Sequence, residues 1–174
     1  IAAIEAWAGL LGDPAVPRPA AGRSVAPPRP LSDRVTATLL AAVADRSIRD
    51  AMLLATVVPG PALQACHDAL RADHAGDPIW LTATGDLPEQ TRCEAAVEVL
   101  THLARASTGR SAADPLAMLA AVHWWVGDGT LANVAVELAL HADDSHVLSR
   151  LVGRILDVGL PPPWRVAPSA WPEG

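Results

Sequence analysis

Apolar residues recur along most of the chain at intervals of three and four positions, the period of an α-helix with one buried face. A clear example follows Ser32, where Val35, Leu39 and Ala42 fall on one side of a helix that Ser32 is predicted to cap. No segment alternates apolar and polar residues over many positions, so we predict no β-sheet. The pattern predicts an all-α fold, with about seven or eight helices in short antiparallel pairs.

Glycine and proline divide this pattern into four parts. An N-terminal helix at residues 1–12 is ended by Gly12. Six prolines follow in a predicted linker at residues 13–31, because each proline removes a backbone donor and disfavours helix before it. A helical domain occupies residues 32–160, and a tail rich in proline and tryptophan, predicted to be non-helical, occupies residues 161–174.

Within the helical domain, capping residues mark where further helices begin. Ser47 with Asp50 resembles an acidic capping box, and Asp114-Pro115 places proline at a first helical turn. Residues 77–88 fit either a short helix or an extended segment. After the helix at Ser32, the predicted helices cover about residues 47–57, 62–74, 86–106, 114–127, 131–142 and 145–158.

Two faces are predicted for the helix at residues 131–142. The apolar positions are expected to face the core, and they are Leu131, Val134, Ala135 and Leu138. The opposite stripe is polar and comprises Asn133, Glu137 and His141. With Trp124 and Arg150 from the neighbouring helices, these three polar residues are our candidates for a partner-binding groove.

The last helix pairs have the spacing of a tetratricopeptide unit. Gly127 would allow the exit from one helix, and Ala132 and Ala139 would let the next helix approach closely. Departures from that pattern occur at Ala120, His123, Val136 and Asp144. The sequence therefore predicts a tetratricopeptide-like helix pair.

The same glycines permit a second interpretation. Gly127, Gly129 and Ala132 match the G-x-G-x-x-A fingerprint of dinucleotide-binding folds. That fingerprint needs a β-strand before the first glycine, whereas the segment here has the length and proline start of a helix. We therefore predict no dinucleotide site.

Charge and cysteine content narrow the function further. The net charge is −6, and Lys is absent, so all 13 basic residues are Arg dispersed among acids. This disfavours nucleic-acid binding, which needs a basic face. The longest apolar run is too short for a bilayer. Two cysteines, Cys66 and Cys93, form no disulfide framework, which favours a cytoplasmic location.

No motif for catalysis, cofactor binding or metal binding is found in the sequence. His141 and His146 flank Asp143 and Asp144, which is a possible metal site but is more typical of a solvated loop. The adjacent Trp124 and Trp125 must point in different directions on a helix. Trp164 and Trp171 of the tail either fold back onto a core that is rich in alanine and poor in bulky side chains, or they anchor a partner.

Three stretches carry a resemblance to a known family. They are Trp125-Val126-Gly127-Asp128-Gly129 with Leu131-Ala132-Asn133-Val134-Ala135, Ile48-Arg49-Asp50-Ala51, and Asp157 to Trp164. This part of the chain resembles the actinobacterial proteins grouped as domain of unknown function 4192. The resemblance implies the C-terminal part of a longer protein, and it supplies no catalytic residue and no cofactor.

Two functions from different classes follow from these observations. The first is a non-catalytic scaffold domain that binds a protein partner, its own N-terminal region or a second copy of itself. The alternative is an accessory or regulatory domain of an enzyme whose catalytic residues lie in an N-terminal part that is missing from this chain. We expect neither a nucleic acid nor a membrane as partner.

Overall fold

The fold is described by a computed structural model at residues 2–12, 31–57 and 88–166. These residues form helices and no strand, which confirms the all-α prediction. Two 3-10 turns, Gly109–Ala112 and Pro163–Arg165, accompany the helices. The α-helices of the described residues are α1 Ala2–Leu10, α2 Asp33–Val43, α3 Arg46–Val57, α4 Gln90–Ala106, α5 Ala113–Val126, α6 Gly129–Ala142 and α7 Val147–Asp157.

Several predictions fall on other parts of the chain. The linker at residues 13–31, the helix at 62–74 and the undecided segment at 77–88 lie wholly or almost wholly outside the described residues. The same is true of Cys66 and Trp171.

The capping residue predicted for α2 is the one observed, whereas the capping residue predicted for α3 is not. Ser32 caps α2 as predicted, since its hydroxyl accepts a hydrogen bond from the backbone N–H of Val35. In α3 the cap is Asp45, whose carboxylate accepts from the N–H of Ile48 at 3.1 Å. The prediction that Ser47 caps this helix is therefore wrong. An aspartate two residues earlier already occupies the capping position.

Helix α5 is the centre of the fold. It packs against α3, α4, α6 and α7, and ten of its 14 residues are buried. This explains why its sequence shows a continuous apolar run instead of one apolar stripe. No helix among residues 2–12, 31–57 and 88–166 is long and apolar enough to cross a membrane.

Helix α6 packs on α5 through its small residues. Its buried side chains are Ala132, Ala135, Val136 and Ala139. The prediction that the larger aliphatic residues face the core is therefore wrong for Leu131, Val134 and Leu138, which are 47%, 47% and 52% exposed. Alanines on the inner face let the two helix backbones approach closely, and this turns the bulkier stripe outward.

Helix α1 belongs to the same core. Trp7 is fully buried, and its indole N–H donates to the carbonyl of Met52 at 3.0 Å and to the hydroxyl of Thr56 at 3.2 Å. A buried indole that finds acceptors avoids the cost of an unpaired donor. These contacts join α1 to α3, although the two helices are far apart in the sequence.

A partly buried charge network joins α3, α5 and α7. Asp114 of α5 accepts hydrogen bonds from Arg49 of α3 at 2.9 Å and from His146, the residue that caps α7, at 3.1 Å. Burial alone would raise the pKa of Asp114, but the hydrogen bonds from His146 and Arg49 outweigh it and lower this pKa. The carboxylate is therefore held in its charged form where α3, α5 and α7 meet.

Residues 160–165, which we call the C-terminal turn, fold back over the end of α5. The indole N–H of Trp124 donates to the carbonyl of Leu160 at 2.8 Å, and that of Trp164 donates to the carbonyl of Trp125 at 2.7 Å. Trp164 packs against the core, so the interpretation in which it folds back applies. In the described part of the tail, Pro163–Arg165 forms a 3-10 turn, so the prediction that the tail is non-helical is wrong for these residues.

Gly127 makes the junction of α5 and α6 possible. Its φ is 88°, a left-handed value, and its N–H bonds to the carbonyl of Trp124. The segment before it is helical, and Gly129 already lies in α6, so the strand that a dinucleotide fingerprint needs is absent from this described junction. A β-carbon at Gly127 would also collide with the guanidinium of Arg165.

Replacing this glycine tests the junction. We expect Gly127→Ala to lower the free energy of unfolding by about 1–2 kcal/mol, because alanine resists a left-handed backbone. The Arg165 guanidinium lies at the end of a flexible side chain and can move away from the new methyl group at little cost. Gly129→Ala is the matched control. It has open space around its β-carbon and should be neutral or slightly stabilising. Urea unfolding of both variants measures this, and equal losses would contradict it.

The charge network gives a prediction about pH. Asp114→Asn should lower the free energy of unfolding by about 2–3 kcal/mol at neutral pH, since Arg49 and His146 lose a charged acceptor. A carboxyl whose pKa is lowered by folding stabilises the protein above its unfolded pKa and loses this effect as the pH falls. The difference from wild type should therefore shrink below about pH 4.

Urea unfolding across this pH range measures the difference. Asp157→Asn, at the exposed end of α7, is the control and should change stability by less than about 0.5 kcal/mol. A difference between wild type and Asp114→Asn that stays constant with pH would show that the Asp114 carboxylate does not provide the stabilisation.

Candidate functional site

A cleft of about 590 Å³ lies between α4, the end of α5 and the C-terminal turn. Its size is within the range of small-molecule sites. Side chains of both helices and of the turn form its walls, so the cleft depends on the turn folding back. The lining residues are Pro88, Gln90, Cys93, Glu94, Val97, Glu98, His123, Val126 and Trp164.

The inner part of the cleft is apolar. Cys93 is buried, and Val97, Val126 and Trp164 are partly buried against the core. The Trp164 ring is held in place because its N–H bonds to the carbonyl of Trp125 and the Arg165 guanidinium lies 4.9 Å from its centre. The ring is thus a fixed wall.

The edge of the cleft is acidic. Glu94 and Glu98 lie one helical turn apart on α4 and are both exposed. The amide of Gln90 donates to a carboxylate oxygen of Glu94 at 2.8 Å and so orients it. No Arg contributes to the walls that the structure describes, so two negative charges lie at the entrance without a lining cation.

The two titratable groups deeper in the cleft are both shifted toward their neutral forms. Burial raises the pKa of the Cys93 thiol to about 11, against a smaller opposing effect of Arg92. Burial lowers the pKa of His123, and the Asp128 charge offsets this only in part. A nucleophilic cysteine needs a lowered pKa, so Cys93 has the opposite of the environment that activates a thiol. The cleft is therefore suited to binding and not to thiol chemistry.

The predicted groove residues lie in two different environments. Trp124 is only 3% exposed and bonds to Leu160, so it belongs to the core and not to an open surface. Asn133, Glu137 and His141 are exposed on α6, spaced one turn apart. Arg150 is exposed on α7. The polar stripe on α6 is thus present, but Trp124 does not line it.

The outer face of α6 combines these polar residues with an apolar stripe. We use this name for Leu131, Val134 and Leu138 together with Asn133, Glu137 and His141. The apolar members follow the spacing i, i+3, i+7, which places them on one side of the helix. A contiguous exposed apolar stripe is typical of an interaction surface.

Asp114, His146 and Ser149 resemble a catalytic triad in composition. His146 Nδ1 accepts a hydrogen bond from the backbone N–H of Ser149 and lies 2.8 Å from its hydroxyl oxygen. The other ring nitrogen, Nε2, therefore carries the proton that is donated to Asp114. However, the Ser149 side chain is 0% exposed, so no substrate can reach it. The arrangement caps α7 and joins it to α5.

In the candidate metal site between α6 and α7, Asp143 and His146 form hydrogen bonds to other side chains of the protein. Asp143 accepts from Arg110 at 3.0 Å and from the Ser145 hydroxyl at 2.6 Å. His146 lies in the Asp114 network and is not in a solvated loop, so that interpretation is wrong for this residue. Among the described residues, no group of three His, Cys, Asp or Glu is placed to hold a metal ion.

Sequence reasoning did not identify the cleft. Glu94 and Glu98 are exposed on α4, but nothing local in the sequence shows that Val97 lies beside them in a cleft. His123 is a departure from the tetratricopeptide pattern, which has tyrosine at this position, and it lies in the lining of the cleft. The other wall comes from Trp164, whose position depends on a contact 39 residues away in the chain.

Thiol labelling tests whether the cleft wall is rigid. In a Cys66→Ser background, Cys93 should react very slowly with a thiol reagent in the folded protein and fast in denaturant. A pKa of about 11 leaves roughly one thousandth of the thiol ionised at about pH 8, and burial limits access further. Fast labelling of Cys93 under native conditions would contradict the described packing of α4.

Comparison with known proteins places the chain in a family. The family profile described as a domain of unknown function, DUF4192, matches residues 13–163. Neither the curated proteins nor the solved structures include a match to the chain. The matched segment contains α2 to α7, with the outer face of α6 and most of the cleft. The resemblance seen in the sequence is therefore confirmed, and the chain belongs to the DUF4192 family.

Proposed function

We propose that this chain is a non-catalytic protein-interaction domain that binds a helix of a separate protein partner on the outer face of α6. The observation that carries this proposal is the exposure of Leu131, Val134 and Leu138 at helical spacing. An amphipathic helix recognises its partner through apolar anchors with this spacing. Burying these side chains would supply the hydrophobic contribution to binding.

The polar members of the outer face would provide specificity. Asn133, Glu137 and His141 run alongside the apolar stripe and are exposed. Interfaces commonly place an apolar centre beside a polar rim, and rim charges select among partners more than they add affinity. Glu137 at this rim favours a partner helix with a basic residue beside its apolar anchors.

We also propose a wider setting for the domain. The α5–α6 pair is tetratricopeptide-like, supported by the left-handed Gly127 and by the burial of Ala132 and Ala139. We place the chain in the C-terminal part of a longer actinobacterial protein of the cytoplasm. Exclusive use of Arg among the basic residues fits a GC-rich genome, and the free, buried Cys93 fits a reducing compartment.

Photocrosslinking from the outer face tests the proposed function. A photoreactive amino acid at position 138 of the full-length protein, expressed in its host, should capture one reproducible partner. Leu131→Asp with Val134→Asp should abolish that capture, because two charges would replace the apolar anchors. Mass spectrometry identifies the partner, and titration with the purified partner measures the loss of affinity directly.

Val158 provides the matched control. It is an apolar residue, 77% exposed, that follows α7 and is not part of the outer face of α6. Val158→Asp should leave the capture unchanged, and both variants should unfold at the wild-type urea concentration because the substituted sites are exposed. Equal capture by wild type and the double variant would refute the proposal. So would capture of nothing but a second copy of the chain.

A further inference from the structure

The cleft beside α4 has an unbalanced distribution of charge. Glu94 and Glu98 lie at its edge, and Gln90 orients the first of them. Among the described lining residues, the one ionisable base is His123, and burial lowers its pKa and so favours the neutral ring. The entrance therefore presents two negative charges that the lining residues do not neutralise.

The interior of the cleft selects for an apolar group. Val97 and Val126 provide aliphatic surface from two helices, and Trp164 provides an aromatic wall fixed by its bond to Trp125. Ligand sites typically combine such apolar walls with a small number of polar groups that set the orientation. Here the polar groups that set the orientation are acidic and lie at one edge.

We infer that this cleft binds a small organic cation with an apolar body, whose ammonium group lies between Glu94 and Glu98 and whose body packs against Val97, Val126 and Trp164. The volume of about 590 Å³ accommodates one molecule of this kind. An anion would meet two carboxylates at the entrance, and a fully polar cation would gain nothing from the interior. This site is separate from the outer face of α6, so it does not depend on the proposed function.

A series of three matched compounds tests the charge requirement. The probes are 4-phenylbutylamine, 4-phenylbutan-1-ol and 4-phenylbutyrate, which share an apolar body and differ in charge. Calorimetric titration should give the highest affinity for the amine, roughly fivefold or more above the alcohol, which is the scale of an exposed ion pair. The butyrate should bind most weakly. Equal affinities for the three compounds, or no binding of the amine at millimolar concentration, would overturn the inference.

Variants of the protein test the location. Glu94→Gln with Glu98→Gln removes both charges and retains the shape, so it should reduce the amine affinity to that of the alcohol. Val97→Trp should fill the cleft and weaken all three probes. Glu5→Gln removes an exposed glutamate from α1, outside the cleft lining and the outer face of α6, and should leave the amine affinity unchanged. Circular dichroism and urea unfolding verify that each variant is folded.

Two further outcomes would reject the inference. An unchanged amine affinity in the double glutamine variant would show that the probe binds elsewhere. A fourth probe for the titration is a short peptide with one lysine between two leucines, blocked at both ends. If this peptide binds the cleft more tightly than the amine, the occupant is a polypeptide and not a small molecule.

Discussion

The close approach of α5 and α6 is the constraint on which the rest of the molecule depends. Alanines on the inner side of α6 allow it, and the left-handed Gly127 makes the reversal between the two helices possible. Once α6 lies this near, α5 has helices packed along most of its surface and needs no continuous polar stripe. The same packing leaves the larger aliphatic residues of α6 outside, so the exposed stripe results directly from the small residues of the seam.

Burial of charge is concentrated where helices converge. Asp114 binds Arg49 and His146 at the meeting point of three helices, and its two donors more than offset the cost of removing the carboxylate from water. A buried ion pair of this kind contributes little net stability compared with apolar residues, but it tolerates no loss of one partner. It also holds the first turn of α7 beside α5, because His146 at the capping position reaches Asp114.

Helix existence followed from the sequence, but the direction of helix faces did so only in part. Ser32 was predictable because a cap side chain acts on its own helix, and Gly127 because glycine readily takes a left-handed backbone after a helix. Both features depend only on neighbouring residues, so the sequence alone indicates them. Leu131 and Ala132 show why the face of α6 was predicted wrongly. Leucine is the more hydrophobic residue and was expected in the core, but the short distance between α5 and α6 leaves room only for alanine. The cleft was beyond prediction for a related reason, because Trp164 and Val97 line the same cleft only through tertiary packing. No local pattern encodes that arrangement.

The crossed hydrogen bonds between the paired tryptophans and the C-terminal turn have a consequence for anything that occupies the cleft. Trp124 holds Leu160 and Trp164 reaches back to Trp125, so one cleft wall is present only while this segment is latched. Occupancy and latching are then thermodynamically linked, and each must favour the other by the same free energy. A molecule bound in the cleft would therefore stabilise the packing of residues 160–165 against α5.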